Sequence, residues 1–97
     1  MVTLTTVIAA IPGKSVFSKT ATESVIMGLS TGRYYSLKEV GTRFWELAQN
    51  PISIREAAEA IAGEFEVTPE AATADLIELS DQLIREGLAA VVEPPSR

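Results

Sequence analysis

Carboxylates are the only plentiful reactive groups in this chain of 97 residues. It carries 13 aspartates and glutamates but no histidine and no cysteine. Without a thiol there is no disulfide, no thiolate zinc site and no cysteine nucleophile. Without an imidazole, the commonest general base near neutral pH and the commonest metal ligand are both missing. Carboxylates can do acid–base work, yet no pair of acids stands at a spacing that marks a defined site. The glycine-rich phosphate loops G-x-x-x-x-G-K and G-x-G-x-x-G do not occur, nor does the G-x-S-x-G nucleophile turn. An enzyme is therefore the weakest reading, and neither cofactor nor metal is expected.

Recognition is the remaining class, and the charges restrict it. Residues 1–36 hold Lys14, Lys19 and Arg33 against Glu23, a net +2, whereas residues 37–97 hold five basic and twelve acidic residues, a net −7. Hydrophobic residues make up 46% of the chain and charged residues 22%, a balance that buries a core. No stretch approaches the ~20 apolar residues of a membrane span, and Met1–Ile11 lacks the positive start of a signal peptide. The expectation is a soluble, cytoplasmic, single domain over residues 1–97.

The elements that must position any site are legible from pattern. Val2–Ile8 is rich in β-branched residues and is broken by Pro12-Gly13. Ser15–Thr20 and Ser24–Leu29 read as further short strands. Ser30-Thr31-Gly32 joins the last of these to Arg33-Tyr34-Tyr35-Ser36 as a hairpin. From Leu37 the period becomes helical, with Leu37, Val40, Phe44 and Leu47 on one face, Trp45 at its edge and a stop at Asn50-Pro51. Phe44 and Trp45 are assigned to the core. Lys14, Lys19 and Glu23 are assigned to the surface. Ser53 with Glu56 forms a capping box for a second helix that turns Ala57, Ile61 and Phe65 inward. Thr68-Pro69-Glu70 opens a third helix, which ends near Gly87. Leu88–Val92 is a candidate closing strand, and Pro94–Arg97 a tail. The third helix carries Leu76, Leu79 and Leu83 on one stripe and Ile77 and Ile84 on the next. So wide a face is either packed on two sides by its own core or covered along one stripe by a partner.

Strands followed by three helices predict an α+β, winged helix-turn-helix-like arrangement. Such a fold raises duplex DNA as a partner, but a recognition helix needs Lys and Arg against phosphates. Here the third helix carries Glu70, Asp75, Glu78, Asp81 and Glu86 against Arg85. The second carries Glu56, Glu59 and Glu64 against Arg55. These faces repel a phosphate backbone. Arg33-Tyr34-Tyr35, if at a sheet edge, offers instead the unpaired N–H and C=O groups to which another chain can add a strand.

Ser24–Leu47 resembles the PqqD-like family, the recognition elements of ribosomally made peptide natural products. The matching features are an apolar strand, Thr31-Gly32-Arg33-Tyr34-Tyr35-Ser36-Leu37, then Glu39-Val40-Gly41 and a helix with Trp45. The likeness continues through Ile61-Ala62, Phe65-Glu66-Val67, Ala74-Asp75-Leu76, Leu79 and Leu83, and closes on Glu86-Gly87-Leu88. It covers about residues 14–92. One departure is Lys38, where the family usually has Asn, which bears on a local turn or cap contact. The resemblance implies a three-stranded antiparallel sheet beside three helices, and a non-catalytic role. That role is to hold the leader of a precursor peptide as an added strand, in the cleft between the Arg33–Ser36 strand and the third helix. A chain of this kind looks most like the stand-alone lasso-peptide version, which works with a separate leader peptidase and a cyclase. The runner-up is the pyrroloquinoline quinone version, whose partner is a radical-SAM enzyme.

In that role Arg33, Tyr34, Tyr35 and Ser36 line one wall. Leu76, Leu79 and Leu83 line the other and take apolar leader side chains. Asp75 and Glu78 sit at the rim and steer basic groups. Tyr34 and Tyr35 alternate across the sheet, so one of them is expected inside. The open edge allows either a monomer or a strand-swapped dimer.

Overall fold

The computed structural model describes residues 2–21 and 23–92; the Pro94–Arg97 tail lies outside them. Six strands and three helices follow in the order β1 (Val7–Ala10), β2 (Ser15–Lys19), β3 (Ser24–Gly28), β4 (Tyr34–Leu37), α1 (Glu39–Leu47), β5 (Ile52–Ser53), α2 (Ile54–Glu64), α3 (Pro69–Arg85) and β6 (Ala89–Val91). The class is α+β, with the expected three-stranded antiparallel sheet in the order β2-β3-β4. A second three-stranded sheet, in the order β5-β1-β6, was not foreseen.

That second sheet gives the first residues their place. Ile8 pairs with Ile52 on one side and Val91 on the other, and is wholly buried. Leu4 and Thr6 extend the ladder by accepting hydrogen bonds from the Arg55 and Ile54 N–H groups at the start of α2. Val7 accepts from Val92, and Ile11 donates to Leu88. The segment therefore pairs within its own chain, tying the N-terminus to the helical half. β6 is the closing strand expected within Leu88–Val92, whereas β5 escaped pattern reading because two residues are too few to show a period of two.

The first sheet is a meander. β2 pairs with β3 from Ser15↔Gly28 to Lys19↔Ser24, and β3 pairs with β4 from Ser24↔Leu37 to Met27↔Tyr34. The turn into β4 depends on Gly32, at φ +71°, whose N–H donates to Gly28 C=O.

Leu37 is the last residue of β4, not the first of a helix. Its inward direction was read correctly, but it comes from strand alternation. Phe44 and Trp45 are in the core as expected, at 0% and 4% exposed. The capping box at Ser53 is formed in full, with Glu56 N–H donating to Ser53 Oγ (3.1 Å) and Ser53 N–H to Glu56 Oε1 (3.3 Å). Thr68 caps α3 by accepting from Ala71 N–H. At the other end Gly87 takes φ +77° and donates to Ile84, while Leu88 donates to Leu83, so the chain turns at once into β6.

One core joins both sheets to the helices. Ile8, Ile26, Phe44, Ile54, Ile61 and Leu76 have no exposed surface, and each such side chain contributes about 1.5–3 kcal/mol by leaving water. β3 is held to α1 by a buried 2.6 Å hydrogen bond between the Ser24 and Thr42 hydroxyls. Phe17 packs against Trp45, with ring centroids 6.4 Å apart. Lys19 reaches Glu46 at 2.8 Å. That hydrogen bond is the main reason the Glu46 carboxyl sits below its ordinary pKa.

Lys38 occupies the N-cap of α1 in extended conformation, φ −95° and ψ −172°, and its side chain makes no capping hydrogen bond. Asparagine fits that backbone and supplies the missing acceptor. Lys38→Asn is expected to stabilise the protein by about 1 kcal/mol, seen as a higher midpoint in urea denaturation with an unchanged slope. A lower midpoint would contradict this account of the cap.

Candidate functional site

The second edge of β4 is open. Gly28 N–H donates to Arg33 C=O, which marks Gly28 and Arg33 as a hydrogen-bonded pair. Bonded and non-bonded pairs alternate along an antiparallel ladder. Tyr35 and Leu37 therefore turn their main-chain groups toward β3, and Tyr34 and Ser36 turn theirs away. β4 has no neighbour beyond β3, so among the described residues these outward N–H and C=O groups have no strand partner.

A cleft of about 280 Å³ runs between this edge and α3. Tyr34, Tyr35, Ser36 and Leu37 line one side, and Leu79, Gln82, Leu83 and Glu86 the other. β4 and α3 run in opposite directions along it. At one end Tyr35 meets Glu86. At the other, a Cβ on Gly41 would lie 3.4 Å from Leu37 Cδ2 and 3.6 Å from Leu79 Cδ2.

The expected site residues fall into three groups. Tyr34, Tyr35, Ser36, Leu79 and Leu83 are brought together on the cleft. Tyr34 is 70% exposed, and Tyr35 is the half-buried one of the pair. Arg33, Asp75 and Glu78 stand outside the lining. Arg33 is at the Glu86 end, while Asp75 and Glu78 are exposed on α3 in a shallow surface shared with Leu79 and Gln82. Leu76 is separate from both, because it has no exposed surface and lies in the core beneath α3. Of the two accounts of the wide α3 face, own-core packing holds for Leu76; Leu83 is largely buried but forms part of the cleft lining, and Leu79 alone of that stripe is half open.

Sequence reading passed over Leu37, Gln82 and Glu86. The signal for Glu86 was present, because it continues the stripe of Leu79 and Leu83 at i+7 and i+3. Its Oε1 accepts from the Tyr35 hydroxyl (2.5 Å) and lies 3.5 Å from Arg33 Nη1. The Arg33 guanidinium also stands 5.9 Å from the centre of the Tyr35 ring. The Glu86 hydrogen bond holds the Tyr35 proton and raises its pKa above the ordinary phenol value. Burial pushes the same way, and the Arg33 charge pulls against it.

Among the described residues no cluster of His, Cys, Asp or Glu is arranged to hold a metal ion, and no helix is long and apolar enough to cross a membrane. A second cavity of about 250 Å³, lined by Lys19, Thr42, Arg43, Glu46 and Phe65 among others, lies where β2 meets α1. Its cations are paired within the chain, Lys19 with Glu46 at 2.8 Å and Arg43 with Glu64 at 2.8 Å and Glu46 at 3.5 Å, while Glu23 and Glu39 also line it.

Residues 23–89 match the family described as Coenzyme PQQ synthesis protein D (PqqD). The chain belongs to the PqqD family. Its PqqD-like fold is shared with two solved structures. One is described as TbiB1 in complex with the TbiA(beta) leader peptide; it is 26% identical with a TM-score of 0.71, over 90% of this chain and 99% of that one. The other is lasso peptide synthetase B1 complexed with the leader peptide; it is 20% identical with a TM-score of 0.72, over 86% and 96% of the two chains. No curated protein matches the chain in sequence. The match spans β3, β4 and α3, so both walls of the cleft lie inside the PqqD segment.

The raised Tyr35 pKa has a signed consequence. A group whose pKa is raised by folding stabilises the fold below its unfolded pKa, and that contribution is lost as pH rises through the folded value. With Tyr34→Phe leaving Tyr35 as the sole tyrosine, ultraviolet titration is expected to show Tyr35 ionising at higher pH than in the Tyr34→Phe/Glu86→Ala double variant. Identical curves would mean that the hydrogen bond is not formed in solution.

Proposed function

We propose that this protein is a non-catalytic leader-recognition element of lasso-peptide biosynthesis. It holds the leader of a ribosomal precursor as a fourth strand on β4 and presents it to a separate leader peptidase. The observation that carries the reading is the unpaired β4 edge facing a half-apolar cleft. Main-chain bonds to Tyr34 and Ser36 give affinity with little demand on sequence, and the cleft supplies selectivity. Support comes also from the 26% identity to TbiB1, a protein solved with a leader peptide.

In this reading Tyr34, Tyr35 and Ser36 form the strand-side wall, and Arg33 stands beyond its Glu86 end. Leu79 and Leu83 receive apolar leader side chains, and Leu76 acts from below by fixing α3. Asp75 and Glu78 attract basic leader groups and raise the on-rate more than the affinity. The acidic faces of α2 and α3 disfavour duplex DNA as a rival partner. The family's description, PQQ synthesis, favours a second client, a peptide chaperoned to a radical-SAM enzyme through the same cleft.

Leu79→Asp sets a charge in the cleft without touching the outward β4 groups. Fluorescence polarisation with the cognate leader peptide is expected to give a Kd tighter than about 100 μM, weakened at least tenfold by Leu79→Asp. No binding by the folded wild type, or equal binding by the variant, would overturn the reading.

A further inference from the structure

We propose that Glu86 is a specificity-determining residue of the cleft, receiving a basic side chain two residues from the aliphatic side chain that Leu79 and Leu83 accept. The proposal rests on the strand-addition reading above and names what the added strand must carry.

Glu86 lines the cleft with its side chain 21% exposed. Its side-chain hydrogen bond, from the Tyr35 hydroxyl, falls on Oε1, which is also the oxygen nearest the Arg33 guanidinium. Among the described residues no group donates a hydrogen bond to Oε2. A carboxylate held on one oxygen and free on the other is oriented without being saturated, since each oxygen accepts two hydrogen bonds. Arg33 does not cancel it, because that contact is long and Arg33 is 65% exposed. The same flank of α3 carries Asp75 and Glu78. Within the cleft Glu86 is the one acid of the lining, and Asp75 and Glu78 outside it add to a field that favours a cation over a carboxylate.

The spacing follows from the geometry of the two walls. β4 and α3 run antiparallel, so a strand between them steps along the helix axis. Leu79 and Leu83 centre on one point of α3, and Glu86 lies about five residues further, or about 7.5 Å at the helical rise. An extended strand repeats the same face every ~6.7 Å. One side chain seated between Leu79 and Leu83 therefore puts its i±2 neighbour against Glu86, while the residue between them points to the opposite face of the sheet.

The test is selection from a phage-displayed library of random peptides of about twelve residues, run on the wild type, Glu86→Gln and Glu86→Lys. The wild type should enrich peptides with an aliphatic residue and Lys or Arg two positions away. Glu86→Lys should keep the aliphatic preference and exchange the basic residue for Asp or Glu. Glu86→Gln, nearly isosteric, should lose the basic preference and carries the test if Glu86→Lys does not fold. In polarisation assays, changing the selected Lys to Glu should weaken wild-type binding roughly tenfold and leave Glu86→Gln nearly unaffected. Unchanged basic enrichment on Glu86→Lys, with Leu79-dependent binding intact, would overturn the role of Glu86 alone. Selected peptides that bind a folded Leu79→Asp variant equally well would overturn the strand-addition reading and this proposal with it.

Discussion

The outward main-chain groups of Tyr34 and Ser36 are the constraint around which this molecule is arranged. An unpaired strand edge is normally blunted by charge, proline or a covering element, because it invites indiscriminate pairing. Here the edge is neither charged nor proline-bearing, and α3 stands across a cleft from it. The rest of the fold keeps that spacing fixed. Ser24 and Thr42 bond β3 to α1, Phe17 packs on Trp45, and Lys19 reaches Glu46. Tyr35 and Arg33 meet Glu86 at one end of the cleft, and Leu37 and Leu79 close around Gly41 at the other. The edge is therefore open to a strand but only through a slot of set width, which turns a general hazard into a selective one.

The uneven charge has a spatial meaning in this frame. The first 36 residues carry a small basic excess, and twelve of the 13 acids lie beyond them, mostly on the helices. α3 thus carries an acidic flank beside the cleft, unsuited to phosphates and, in the proposed role, suited to a peptide with basic groups. The size is consistent with that role, since a binding slot needs a strand edge, one helix and enough core to hold them apart.

Much of this was legible in the sequence because it depends on local rules. The capping box at Ser53, the Thr68-Pro69 start and the Gly87 stop each follow from one or two residue types whose backbone or hydrogen-bonding demands are specific. The hairpin at Gly32 and the three-stranded sheet were legible for the same reason. The second sheet was not, because β5 is too short to carry a period and the β1 and β6 segments, each expected as a strand, find one another only through long-range pairing. Leu37 shows how a strand and a helix that meet at one buried residue share an apolar pattern, so pattern alone assigned it to the helix. Within the site, the strand-side residues and Leu79 and Leu83 were found from the edge and the stripe. Leu76 was read as a wall residue because spacing gives the face but not the depth. Glu86 was passed over because a charged residue at the end of an apolar stripe reads as a solvated cap until its partners on β4 are seen.

The central claim, that a peptide adds as a strand to β4, is tested most directly by amide hydrogen exchange read by NMR. The Tyr34 and Ser36 amides should exchange quickly in the free protein and slow by tenfold or more at saturating leader peptide, roughly the protection of a newly formed ladder. Tyr35 and Leu37, already bonded to β3, should change far less. Fast exchange at Tyr34 and Ser36 in a saturated complex would contradict the account, because the leader would then be held by side chains alone.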